Sequence, residues 1–318
     1  VTIKNLFFLF LLAACWGCHN IDSGTGGNTD SRTRGTVHIT VDEEFKPLFD
    51  SMETAFEGQY PDAHLIISYK PEAEAVKDLY SDSVRLVIIP RKLNAEELQH
   101  FKQNGYTPDE MKIASDGLAF IVNRANPDTT IYTAQIEDIL AGNLKTWDKV
   151  TRNDFSGDIS LVADNTSSSA VRYISETINA GKPLPANMYA QQNNEAVIQY
   201  VTTHPHALGI IGVNWVSDTH DPKMQGFLKS VKVVALSAPD SLRDKVPEGY
   251  FWLKPQQSWI ALKLYPYLRD LYVLNIEGTG GLGTGFADYI ASEPGQIIIE
   301  HSGLMPAKLP TRIINNAK

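Results

Sequence analysis

Cysteine occurs at only two positions of this 318-residue chain, Cys15 and Cys18. Everything beyond residue 18 therefore lacks disulfides, a thiol nucleophile and cysteine-ligated zinc. Long apolar runs are missing too: Leu6–Ala14 is far shorter than the roughly 20 residues a membrane-spanning helix needs. There is no Lys/Arg run. With 28 basic against 37 acidic residues the formal net charge is −9, which argues against a broad basic face and against nucleic acid as a partner. Catalytic signatures are also lacking. No H-E-x-x-H or G-x-S-x-G is present, His204 and His206 have no carboxylate at helical spacing, and the Glu43/Glu44 pair is adjacent in sequence and need not converge. No enzyme, no cofactor and no metal site are expected.

What is present is the balance of a soluble globular protein, 43% hydrophobic and 20% charged residues, on a chain long enough for two lobes. The first residues read as an export signal: Lys4 is a short positive region, Leu6–Leu12 an apolar run, and Leu12-Ala13-Ala14-Cys15 is similar to a lipobox. Residues 1–18 are thus a lipoprotein signal peptide, with a lipid carried by Cys15 or alternatively Cys18 and the protein held on a bacterial membrane. Residues 19–34, rich in Gly, Ser, Thr, Asn and Asp, make a flexible tether.

Strand and helix patterns then alternate. Strands are expected at Thr36–Val41, Ala63–Tyr69, Arg85–Ile89 and Lys112–Val122, with helices at Pro47–Tyr60, Ala73–Ser81 and Ala95–Asn104 between them. Further on come a helix at Ile136–Ala141, a strand at Ser160–Ala163, and helices at Val171–Asn179 and Asn194–Thr203. Strands at Leu208–Gly212 and Val231–Leu236, a return near Trp259–Ile276, a helix at Phe286–Ala291 and a last element near Gln296–Ile299 complete the chain. The fold class is α/β, with mainly parallel sheets that place the site in loops at the carboxyl ends of strands. Gly278–Gly283 satisfies G-x-G-x-x-G, but no ribose-binding acid at the end of a parallel strand follows it, so it reads as a glycine-rich loop before a helix.

Four segments resemble the phosphate-binding proteins of bacterial ABC importers. They are Ile136–Asp148 with its Gly turn and Trp-Asp pair, Pro205–Gly212, Leu264–Tyr272, and Ser292–Gln296 with Gly303–Pro306. The resemblance spans most of Gly35–Ala307. It implies a two-lobed periplasmic binding protein of type II with two hinge crossings, closing around a ligand. One lobe would comprise residues 35–121 plus 259–318 and the other 122–258.

The resemblance also implies a site. Thr166, Ser167, Ser168 and Ser169 align with the family's phosphate loop, between a strand and a helix where backbone N–H groups favour an anion. The family's arginine before that loop is Val162 here, and Arg172 is the candidate substitute. Arg91 matches a family arginine. Asp42 and Glu43 stand where the family has hydroxyls, Lys70–Ala75 replaces a Gly/Ser-rich loop, and Arg85 takes the place of an aspartate. The expected ligand is phosphate or a related small oxyanion, and the expected partner an ABC importer permease or another envelope transport complex. The protein is expected to be a lipid-anchored periplasmic monomer; the alternative is an adaptor with altered or lost phosphate binding.

Overall fold

Three parallel strands open the fold in the computed structural model, which describes residues 30–150, 154–182, 184–217, 222–278 and 280–309. The expected signal peptide, with Cys15 and Cys18, and most of the expected tether lie outside the described residues. Its last residues form a turn, with Ser31 N donating to Arg34 O at 2.9 Å, and Arg34 pairs with Asp62 at 2.8 Å.

Strand β1 (Gly35–Asp42) pairs along its whole length with β2 (Ala63–Lys70) and over Ile39–Val41 with β3 (Leu86–Ile89). The connections are α1 (Lys46–Gln59), with Pro47 in its first turn, and α2 (Glu72–Tyr80). Helix α3 (Ala95–Gln103) follows, opened by a reciprocal cap in which Glu97 N donates to Asn94 and Asn94 N to Glu97, satisfying two orphan donors. All four β3 residues are buried, the run expected of a strand covered on both faces.

The long strand β4 (Asp109–Asn123) joins two halves of one ten-stranded sheet. Its first part, Asp109–Gly117, pairs antiparallel with β12 (Leu268–Asn275), and its second, Leu118–Val122, with β8 (Ala207–Gly212). Between them in sequence come β5 (Thr130–Ile131), α4 (Thr133–Leu140), β6 (Ser160–Ala163), α5 (Ser169–Tyr173), β7 (Met188–Ala190) and α6 (Asn194–Thr203). After β8 follow α7 (Asn214–Ser217), α8 (Pro222–Ser230), β9 (Val231–Val233), β10 (Ala235–Ser237), β11 (Trp252–Leu253) and α9 (Gln257–Ala261). Beyond β12 the chain adds α10 (Leu282–Ala291), α11 (Glu293–His301) and β13 (Met305–Pro306). The strand order is β2-β1-β3-β12-β4-β8-β6-β7, and a separate small sheet runs β11-β10-β5.

Three sequence expectations change. The strands joined by helices are parallel, but β12 and β4 run antiparallel to their neighbours, because the chain leaves the first half along β4 and returns along β12 in the opposite sense. Val231–Leu236 is two strands: Val234 N donates to Phe120 O at 2.8 Å and Ala235 N to Thr129 O at 2.8 Å, so the chain leaves β4 for β5 at that point. The helix expected at Val171–Asn179 begins at Ser169 and widens into a π-helical turn over Ile174–Ile178. The last element is helical, within α11.

One hydrophobic core runs through both halves, from Ile39 and Phe56 to Val162 and Ile210. Phe56 lies at a ring junction, edge-to-face with Tyr60, Phe286 and Tyr289 at centroid distances of 5.0, 5.1 and 5.2 Å. It is fully buried, so Phe56→Ala is expected to destabilise the fold by about 3–5 kcal/mol in urea unfolding; a loss below about 1 kcal/mol would mean that this junction repacks freely.

Candidate functional site

Strand β1 ends on Asp42, whose carboxylate accepts from Glu44 N at 3.1 Å and turns the chain into the 3-10 segment Glu43–Phe45. This delivers consecutive acids against the second half of the sheet. Glu43 accepts from Asn194 through its side-chain amide at 2.9 Å and its backbone N at 3.3 Å. The Glu44 carbonyl accepts from Trp215 Nε1 at 2.7 Å and Asn214 Nδ2 at 3.0 Å. Gly212 makes room here, since a Cβ on it would stand 2.8 Å from Glu44 Cγ and Oε1.

The Glu44 carboxylate reaches across to the other half. Its Oε2 accepts from Ser169 Oγ at 2.7 Å and from Arg269 Nη1 at 2.8 Å. Arg269, on β12, lies directly opposite Asp116 on β4, and its Nη2 donates to the Asp116 carboxylate. Asp164 follows β6 and lies 3.5 Å from Asn194 Nδ2. Ser168 caps α5, accepting from Val171 N at 3.3 Å.

This cluster is almost dry: Asp42, Glu44 and Asp116 are fully buried, Asp164 is 2% exposed and Arg269 4%. Four ionised acids around one guanidinium would be prohibitive in such a place, so protons must settle the balance. Burial, with Glu44 and Glu72 nearby, pushes Asp42 well above the usual carboxylate range. Burial and Glu44 do the same to Asp164. Asp116 is pushed up to about 6 by burial, with Arg269 opposing the shift. Burial also raises Glu43, against the hydrogen bonds from Asn194. Burial works to lower Arg269, but Glu44 and Asp116 outweigh it and fix the positive charge. Asp42 Oδ2, Glu44 Oε1, Asp116 Oδ1, Asp164 Oδ1 and Arg269 Nε find no hydrogen-bond partner.

A second charged group stands beside the first. Glu72, at the start of α2, accepts from Arg91 Nε at 2.7 Å and from Arg172 Nε at 2.7 Å and Nη2 at 3.1 Å. Arg91 also grips Glu97 with two nitrogens, at 2.6 and 2.8 Å. Arg172 comes from α5, so this pair too joins the two halves, as does the 3.3 Å bond from Ala73 N to Ser167 O. Glu72, Arg91, Thr166, Ser167 and Arg172 line a surface groove of about 480 Å³.

The structure thus brings Asp42, Glu43, Ser168 and Ser169 together in the buried cluster and sends Arg91 and Arg172 to Glu72. Thr166 and Ser167 are exposed at the rim, and Arg85 is an exposed residue paired with Asp82. Sequence reasoning missed Arg269 and Asp116, gave Asp164 no role, and read Glu44 only as the neighbour of Glu43. A signal was there: Arg269 and Asp116 are charges within strands rich in apolar residues, where a buried charge persists only if paired. At the glycine-rich start of α10 the Glu277 carboxylate accepts from Gly283 N at 3.2 Å and Thr284 N at 2.6 Å, filling that helix start from within the chain.

A family model described as a PBP superfamily domain matches residues 26–294. The phosphate-binding protein PstS of Staphylococcus saprophyticus is 25% identical over 281 residues, covering 88% of this chain and 80% of its own. That of Pseudomonas aeruginosa is 24% identical over 316 residues, covering 93% and 87%. Among solved structures, a Clostridium perfringens protein with bound phosphate superposes with a TM-score of 0.69 at 23% identity, covering 86% of this chain and all of its own. An ABC-type phosphate transport receptor from Vibrio cholerae gives 0.61 at 19% identity, over 86% of this chain and 100% of that one. These superpositions agree with the mixed α/β fold.

The raised carboxyls have a consequence for stability. A carboxyl whose folded value lies above its unfolded one holds its proton more tightly when folded. Its contribution is therefore complete below its unfolded value and lost as pH rises through the folded one. For Asp116 the window runs from 3.8 to about 6, and for Asp42 and Asp164 it extends upward from 3.8. Unfolding free energy measured in urea across that window is expected to fall less steeply with rising pH in Asp42→Asn and Asp164→Asn, whose amides do not titrate, than in the native protein. Equal slopes would show that these groups titrate alike in both states.

Proposed function

The chain belongs to the PBP superfamily, and we propose that it is an envelope-anchored solute-binding protein that captures phosphate or a related small oxyanion in an interlobe cleft for an ABC importer. In this reading one lobe is residues 35–121 plus 259–318 and the other 122–258, with β4 and the segment before β12 as the two crossings. A lipid on Cys15, or on Cys18, holds the monomer at the periplasmic face of a bacterial membrane. The protein carries its ligand without transforming it.

One observation carries the reading. Ser169 Oγ and the buried Arg269 guanidinium converge from two elements on a single carboxylate, so this spot between the halves already accepts an oxyanion. An arginine fork and a hydroxyl donor suit the oxygens of a tetrahedral anion. Ser168 caps the helix that Ser169 opens, and burial raises the carboxyls of Asp42 and Glu43 on the facing segment. Glu72 with Arg91 and Arg172, and the Thr166–Ser167 rim, form the edge along which the lobes meet. The names of the relatives, phosphate-binding protein PstS, support phosphate as the first ligand to test.

A second reading, an adaptor of an envelope transport complex with altered or lost phosphate binding, is favoured by the acids Asp42, Glu43 and Glu44 at the seat. Thermal unfolding and calorimetric titration with phosphate, sulfate and molybdate separate the two. The receptor reading expects one anion, at about a hundred times its Kd, to add about 2.7 kcal/mol of stability, and expects Ser169→Ala to weaken that binding. No response to any of the three anions would leave the adaptor reading.

A further inference from the structure

We propose that Glu44 is a built-in occupant of the cleft's anion seat, which an incoming oxyanion must displace. This rests on the receptor reading, and names the residue that sets its affinity. The Glu44 carboxylate is bound as a ligand anion would be, by a hydroxyl and a guanidinium drawn from outside its own segment. Its backbone is fixed separately, by the bonds from Trp215 and Asn214 to its carbonyl. The carboxylate and the backbone of Glu44 are thus held by different partners, and Gly212, lacking a Cβ, accommodates the side chain where it now lies.

Glu44 uses only part of the seat. Its Oε1 is without a partner, and of the three nitrogens of Arg269 one is taken by Glu44, one by Asp116, and Nε by none. The guanidinium is 1% exposed, so solvent does not satisfy Nε. A tetrahedral anion with more acceptor oxygens than a carboxylate engages Nε and Ser169 together and gains a bond that Glu44 does not make. Glu44 thereby sets a threshold: anions with one carboxylate's worth of acceptors gain nothing by replacing it, and richer oxyanions do. The same occupancy holds the two halves together through Ser169 before any ligand arrives.

Titration calorimetry with sodium phosphate on the full chain carrying Glu44→Ala, and on the shape-preserving Glu44→Gln, tests this. Removing the internal competitor is expected to tighten phosphate binding by about tenfold or more, a factor equivalent to roughly 1.4 kcal/mol. Glu44→Ala, unlike the native protein, is also expected to gain melting temperature with acetate, whose carboxylate refits between Ser169 and Arg269. Equal phosphate affinity in the native protein and both variants overturns the displacement and leaves the receptor reading standing. An acetate response in Glu44→Ala with no phosphate binding by any form upholds Glu44 as the occupant and overturns phosphate as the ligand. No response to either anion overturns both.

Discussion

A single guanidinium, Arg269, sits in the dry centre of the molecule between the carboxylates of Glu44 and Asp116, and the arrangement of the two halves depends on it. Without Arg269, β4 would carry an unpaired buried acid and the 3-10 segment after β1 another. Breaking a buried pair of this kind costs about 3–5 kcal/mol because the remaining charge has no solvent to return to. Arg269 stands where the sheet changes partners. Asp116 lies next to Gly117, the last β4 residue paired with β12, and Leu118 is the first paired with β8. The charge is thus placed where the two halves meet: Arg269 Nη1 reaches Ser169 Oγ at 3.3 Å, and the Glu44 carboxylate accepts from both.

Around this centre several side-chain contacts between the halves have an acid on one side. Glu72 meets Arg172, Glu43 meets Asn194, and Glu44 meets Ser169. At these places the two halves meet as acids at the ends of β1 and α2 against donors on α5, α6 and α7. The same device recurs at α10, where Glu277 caps the glycine-rich start. At both places the chain supplies its own anion to backbone or side-chain donors, which is why a glycine-rich motif and a hydroxyl loop alone were weak guides to what binds.

Much of the fold was legible in the sequence, because periodicity and caps report local structure. The helix at Asn194–Thr203 and the strand at Ser160–Ala163 have the bounds their patterns imply, and β1, β2 and α3 deviate by a residue or two. The antiparallel placement of β12 and β4 was not legible, since strand direction depends on where the chain crosses between halves and not on local pattern. Nor was the break at Val234, which follows from a change of partner. The site was half legible. Ser168, Ser169, Asp42 and Glu43, which the structure gathers in one cluster, had been named because they fall on loops that the resemblance marks. Arg269 and Asp116 were hidden because they are 153 residues apart and each looks like part of a framework strand until the ladder sets them opposite each other.

The central claim is that the spot now held by the Glu44 carboxylate is the ligand's seat, and a crystal structure of the protein grown with phosphate tests it most directly. The account predicts a tetrahedral anion within hydrogen-bond distance of Ser169 Oγ and Arg269 Nε, with the Glu44 side chain rotated off both while its carbonyl still accepts from Trp215. Phosphate bound elsewhere, with Glu44 still accepting from Ser169 and Arg269, would contradict it.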